Sequence, residues 1–173
     1  MRFPFWIFFS FLALLFLSGC VNSKYASRDT SGIAPASSIQ SFQIVSNYGS
    51  ICTEEGKPII RLFSTTTCPH CRWINDTFNG VMDEYVSAEK IVAYHWDVDI
   101  GNNQYTPEKE SVVPKSEVEL YQRINPQFTV PVYVFGCKYY RIGNAFEAQD
   151  DLDAEAAEFK AVIEKLLSEV SSP

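Results

Sequence analysis

The chain has 173 residues, 46% of them hydrophobic and 20% charged, which is material for one hydrophobic core and not for two. Its net charge of -7, from 14 basic and 21 acidic side chains, excludes a nucleic-acid partner, because no basic stripe is present to neutralise phosphates. The same charge repels anionic lipid, so attachment to a membrane requires something other than charge attraction.

The N-terminus offers such a device. Met1 and Arg2 lead into an apolar run from Phe5, Trp6 and Ile7 to Leu17, with Ser10 its polar break. The run is short for a bilayer-spanning helix and ends in Leu17-Ser18-Gly19-Cys20, small residues set directly before a cysteine. This tetrapeptide resembles the lipobox of prokaryotic lipoprotein signal peptides. The resemblance implies a signal peptide over residues 1–19, cleavage before Cys20, and a lipid on the Cys20 thiol that anchors the chain to the cell membrane. The alternative is an uncleaved anchor helix with an incidental cysteine, and both readings place the rest of the chain outside the cytoplasm. Residues 21–40 hold five serines, Gly32 and Pro35 and few large apolar side chains, so residues 20–40 read as a flexible tether and 41–173 as the folded domain.

Within 38–50, Ile39, Phe42, Ile44, Val45 and Tyr48 suit a short helix or a strand, and periodicity does not choose. Residues 58–63 form a short apolar run broken only by Arg61, the pattern of a buried strand. Trp73, Ile74, Phe78, Val81, Met82, Tyr85 and Val86 recur at spacings of three and four, which predicts an amphipathic helix from Pro69, whose missing N–H costs nothing in a first turn. Residues 91–98 alternate, with Val92, Tyr94, Trp96 and Val98 on one face and His95 and Asp97 on the other, which predicts a second strand. Residues 101–114 are a polar connection that fits either a substrate rim or a plain surface insertion. Ser116 with Glu119 has the form of a capping box for a short helix to Ile124. Strands are predicted at 130–135 and 139–142 with a turn at 136–138, and a last helix carries Phe159, Val162, Ile163, Leu166, Leu167 and Val170 behind an acidic first turn. The order strand, helix, strand, helix, strand, strand, helix implies an α/β domain with a central sheet flanked by helices.

Cys68-Pro69-His70-Cys71 sits where the first strand hands over to the helix. The free N–H groups of a helix start stabilise a thiolate at Cys68, and a thiolate is the species that attacks disulfides. Cys71, one turn along, is placed to displace a partner bound to Cys68. Tetrahedral zinc is the competing reading of a Cys-x-x-Cys pair, but it requires a second ligand pair and none follows at suitable spacing, so no metal is expected.

Strand, Cys-x-x-Cys and helix, followed far downstream by Thr129-Val130-Pro131 opening a strand, resemble the thioredoxin superfamily over about residues 58–170. The resemblance implies a thioredoxin-like fold with a central mixed four-stranded sheet, a cis Pro131 facing the redox pair, and a groove at Val130 and Pro131 where a substrate cysteine docks. Pro69 and His70 between the cysteines, and Val130 before the proline, are similar to the DsbA family of periplasmic disulfide oxidants, which implies that Pro69 and His70 tune the pair toward oxidation. The chain departs from that pattern in having no large helical insertion. It departs from thioredoxins in placing Leu62, six residues before Cys68, where they keep a buried acid for proton transfer.

Cys52 precedes the first strand, at the end opposite the redox pair. A strand begun at Pro131 and running antiparallel reaches that far end at Cys137 after about 17 Å. A structural Cys52–Cys137 disulfide is therefore expected, with two buried free thiols as the alternative. His95 is read as a satisfied or solvated histidine without a catalytic role. The expected activity is thiol-disulfide exchange with cysteine-containing exported proteins, without bound cofactor and recharged by a redox partner the sequence does not name. The rival reading is a tethered binding module or a copper carrier using Cys68, Cys71 and His70.

Overall fold

The computed structural model describes residues 39–47 and 49–171. Cys20, the signal peptide and nearly all of the tether lie outside the described residues. In chain order the elements are β1 (Gln43–Ile44), β2 (Thr53–Glu54), β3 (Lys57–Ser64), α1 (Pro69–Ser87), β4 (Val92–Asp97), β5 (Asn102–Asn103), α2 (Lys115–Ile124), β6 (Val132–Phe135), β7 (Tyr139–Ile142) and α3 (Leu152–Val170). A 3-10 turn at Glu147–Gln149 precedes α3.

The architecture is a mixed α/β sheet of seven strands flanked by three helices, in the order β1-β7-β6-β3-β4-β5 with β2 paired to β3. β3 and β4 are parallel and the other pairings antiparallel. The expectation of a four-stranded sheet is thus corrected. The three additional strands, β1, β2 and β5, are two residues long each. Two residues carry no alternation for a sequence pattern to report, and such strands exist because a neighbouring edge supplies their hydrogen bonds.

Side-chain alternation divides the interior in two. Ile60 and Leu62 of β3 and Tyr133 and Phe135 of β6 meet Ile74, Phe78 and Met82 of α1 and Phe159, Ile163 and Leu166 of α3. On the opposite face Phe63, Trp96, Val132 and Val134 meet Leu120 and Tyr121 of α2. β3 is buried from Pro58 to Ser64, as a strand covered on both faces must be. Arg61 is tolerated in that run because its guanidinium reaches Glu117 of α2, 2.6 Å and 2.9 Å from its two carboxylate oxygens.

The helix starts differ from one another. Asp151 caps α3 by accepting the Ala154 N–H at 2.9 Å. α2 begins one residue before the expected capping box, with Pro114 at its N-cap and no side-chain cap bond, so Ser116 falls inside its first turn. On β7 the buried Arg141 reaches Glu155 and Glu158 of α3. Glu155 also accepts the N–H groups of Ala145 and Phe146, which pins the segment leading into the 3-10 turn.

Candidate active site

Cys68 is the N-cap of α1. Its backbone is extended, its sulfur accepts the Cys71 N–H at 3.3 Å, and Pro69 occupies the first helical position. A cysteine here takes the role that a serine or aspartate plays at other helix starts, so its sulfur lies among otherwise unpaired N–H groups. The Cys68 thiol donates to the Val130 carbonyl oxygen at 3.9 Å, and Val130 is joined to Pro131 by a cis peptide bond. The chain ahead of that bond is held from α2: the Tyr121 hydroxyl and the Asn125 amide both donate to the Thr129 carbonyl, at 2.9 Å and 2.6 Å. Cys68, Cys71, Val130 and Pro131, far apart in sequence, are thereby brought to one place.

The two sulfurs of the motif differ sharply. Cys68 is half-buried and Cys71 buried, and both are free thiols. Burial, and secondarily the hydrogen bond to Cys68, push the Cys71 thiol up to about 12. A thiol held so firmly protonated needs a nearby base before it can attack.

His70 is exposed, and its Nδ1 faces Glu147 at 2.7 Å. Asn144 fastens this arrangement, donating to Glu147 at 2.8 Å and to the His70 carbonyl at 3.0 Å while accepting from the Tyr133 hydroxyl at 2.6 Å. The hydrogen bonds from His70 and Asn144 hold the Glu147 carboxyl below its usual value. Glu147 and Asn144 carried no sequence signal, because they stand more than seventy residues from the motif in an irregular segment.

Toward the C-terminal ends of β3 and β4 the buried side chains of Ser64, His95 and Asp97 are hydrogen-bonded to one another and to half-buried Asn79 of α1 and exposed Gln104. His95 is not solvated; it is 1% exposed and bonded through both ring nitrogens. Burial holds it neutral, pushing its pKa down to about 4 against the opposing pull of Asp97.

On the same end of the sheet a cavity of about 470 Å³ opens beside Phe63 and Tyr121, walled by Ile100, Val112 and Phe128. Part of the polar connection forms its rim, folded back so tightly at Gly101 that a Cβ there would lie 2.5 Å from the Ser111–Val112 backbone.

Cys52 and Cys137 form a disulfide at the far end, with an S–S distance of 2.07 Å and a Cα–Cα distance of 5.4 Å. Cys137 sits in the β6–β7 turn, where it and Gly136 both take positive φ. In comparisons with known proteins, no family model, no curated protein and no solved structure matches the chain.

Proposed function

We propose that the protein is an extracytoplasmic thiol-disulfide oxidoreductase with a thioredoxin-like domain, anchored by lipid on Cys20, that exchanges disulfides with exported proteins through Cys68 and Cys71. The observation that carries this reading is the position of the Cys68 sulfur, at a helix start, one turn from a second thiol and 3.9 Å from the carbonyl that precedes a cis proline. Further support comes from the sheet, whose four long strands run β7-β6-β3-β4, with β3 and β4 parallel and β6 and β7 antiparallel.

In this mechanism the Cys68 thiolate attacks a disulfide sulfur of the partner, and Cys71 displaces the partner by attacking Cys68, closing the internal disulfide. The reverse sequence donates that disulfide to a client. A client segment lies along residues 129–131, whose backbone is fixed by Tyr121 and Asn125. His70 favours the reduced form and so an oxidising pair.

The test is the reduction potential of the pair at equilibrium with glutathione, with Cys68→Ser as the control that must lose all exchange. A value near -120 mV, about that of DsbA, identifies an oxidant, and one near -270 mV, about that of thioredoxin, a reductant. A pair that exchanges no thiols and retains Cu(I) stoichiometrically sinks this reading and leaves a carrier in its place.

A further inference from the structure

Single apolar side chains scattered over a protein surface are ordinary, but a cluster of them is not. Among the described residues six large apolar side chains are exposed, and three of them, Ile100, Val112 and Phe128, stand around the cavity of about 470 Å³. They are 52%, 74% and 57% exposed, while Phe63 and Tyr121 in the same lining are buried. A cavity of this size with a largely apolar lining has the form of a site that takes an apolar group from another molecule.

The rim of the cavity is fixed in place. Gly101, at a φ of 71°, lets the Ser111–Val112 backbone approach to a distance that any Cβ would block. In the segment between them the Glu110 carboxylate accepts the Asn103 N–H at 2.8 Å and the Thr106 hydroxyl at 2.9 Å, and the Glu110 N–H donates to Asn102 at 3.2 Å. Val112 is thereby held at the opening with its side chain turned to solvent.

Two walls of the cavity are joined to the redox centre. Phe128 stands two residues before Val130, which puts their Cα atoms within about 7.6 Å of each other, and the Val130 carbonyl oxygen is 3.9 Å from the Cys68 sulfur. Tyr121 lines the cavity while its hydroxyl holds the Thr129 carbonyl, and the Tyr121 and Phe128 rings meet edge to face at 5.9 Å. On the other side Asp99 lines the cavity and accepts the N–H of Thr66, two residues before Cys68, at 3.1 Å. Asp99 is the one charged side chain of the lining and is already occupied by the Thr66 N–H and hydroxyl, so the cavity favours an uncharged side chain and repels an acidic one.

We propose that this cavity receives a large apolar side chain of the client, two residues after the client's cysteine. The inference rests on the disulfide-exchange reading above. A client sulfur that meets Cys68 lies beside Val130. A client segment along residues 129–131 pairs antiparallel, the more stable arrangement. Going back from Val130 to Phe128 is then going forward along the client, and the second residue after its cysteine projects to the same face as the cysteine.

The test oxidises the reduced full chain with symmetric disulfides of short peptides and follows the loss of its two thiol hydrogens by mass after acid quenching. The Cys68 thiolate attacks one peptide sulfur and the other peptide leaves as a thiolate, after which Cys71 displaces the first. One peptide carries phenylalanine two residues after its cysteine, a second carries it two residues before, a third carries glutamate two residues after, and a fourth has glycine at both positions. The first reacts about tenfold faster than the glycine peptide, the scale of burying one aromatic side chain. The second matches the glycine peptide and the third is slower than it. Val112→Asp and Phe128→Ala, both at exposed positions, each bring the ratio of the first rate to the glycine rate close to one. The ratio cancels any change in the reactivity of the cysteines themselves. Equal rates for all four peptides overturn the subsite while exchange stands, and a preference for phenylalanine before the cysteine overturns its register. A preference that survives in both folded variants overturns its placement in this cavity. A dimer of the wild type in sedimentation that Val112→Asp separates gives the cavity to a second copy and overturns the proposal. A chain that neither the peptides nor glutathione disulfide oxidise overturns the exchange reading and the subsite with it.

Discussion

Cys68 and Cys71 follow the C-terminal end of β3, and the Cys52–Cys137 bridge lies beside Ile59 near its N-terminal end, so the greater part of one strand separates two pairs of the same side chain. At the far end both sulfurs are enclosed by backbone that is itself paired: the Cys52 N–H donates to the Gly136 carbonyl at 2.9 Å and the Gly136 N–H to the Ile59 carbonyl at 2.8 Å. Gly136 takes a φ of 62°, which disfavours any other residue, and a Cβ there would also have to displace the Leu166 side chain, 2.7 Å away. At the other end one sulfur is half open, hydrogen-bonded to an N–H and a carbonyl, and the second is a buried free thiol. Reactivity is thus set by what surrounds the sulfur and not by the pairing of cysteines.

The sharpest way to break that contrast is to remove each pair in turn. Cys71→Ala abolishes the second step, so Cys68 accumulates as a mixed disulfide that mass analysis detects, and the fold survives. An adduct that still resolves at the wild-type rate would show that another group does the work of Cys71. The double variant Cys52→Ala with Cys137→Ala has the opposite effect. Releasing a loop of 85 residues costs on the order of 4 kcal/mol of stability, read as a lower denaturation midpoint. Its rate of exchange with glutathione disulfide remains that of the wild type. A large loss of exchange in the folded double variant would mean that the bridge relays electrons and is not structural.

The same contrast explains what was legible in the sequence. The apolar run of β3, the Cys-x-x-Cys handover and the helical spacing of Ile74, Phe78 and Met82 are local signals, and the structure carries them in register. The bridge was legible because an antiparallel strand from Pro131 leads to Cys137 at the end where Cys52 begins. The hydrogen-bonded group around His95 was hidden for a physical reason. Alternation assigns His95 and Asp97 to one face of β4, and a face with polar side chains reads as open to water. Here that face is covered, and the polar side chains are satisfied by Ser64, Asn79 and Gln104 from three other segments. No spacing rule connects positions 64, 79, 97 and 104. The partners of His70 were hidden in the same way, since Glu147 reaches it only through the packing that Arg141 and Glu155 impose on the segment after β7.

The smallest expected effect is on that histidine, and it tests whether the redox end is tuned by its surroundings as finely as the contrast implies. Glu147→Gln keeps the side-chain length and a hydrogen bond to Asn144 but removes the charge facing His70. The imidazole then loses a charged hydrogen-bond partner and supports the Cys68 thiolate less, so the reduced form is destabilised and the reduction potential falls. The His70 side chain is 61% exposed, and ion pairs of this kind are worth at most about 1 kcal/mol, a shift of about 20 mV or less for a two-electron couple. The shift shrinks further in high salt, where exposed charges are screened. His70→Ala, measured beside it, separates two causes. If Glu147 acts through the imidazole, its substitution in the His70→Ala background leaves the potential where it was. If the potential still moves by the same amount, the carboxylate acts on the sulfur directly and the histidine is a bystander.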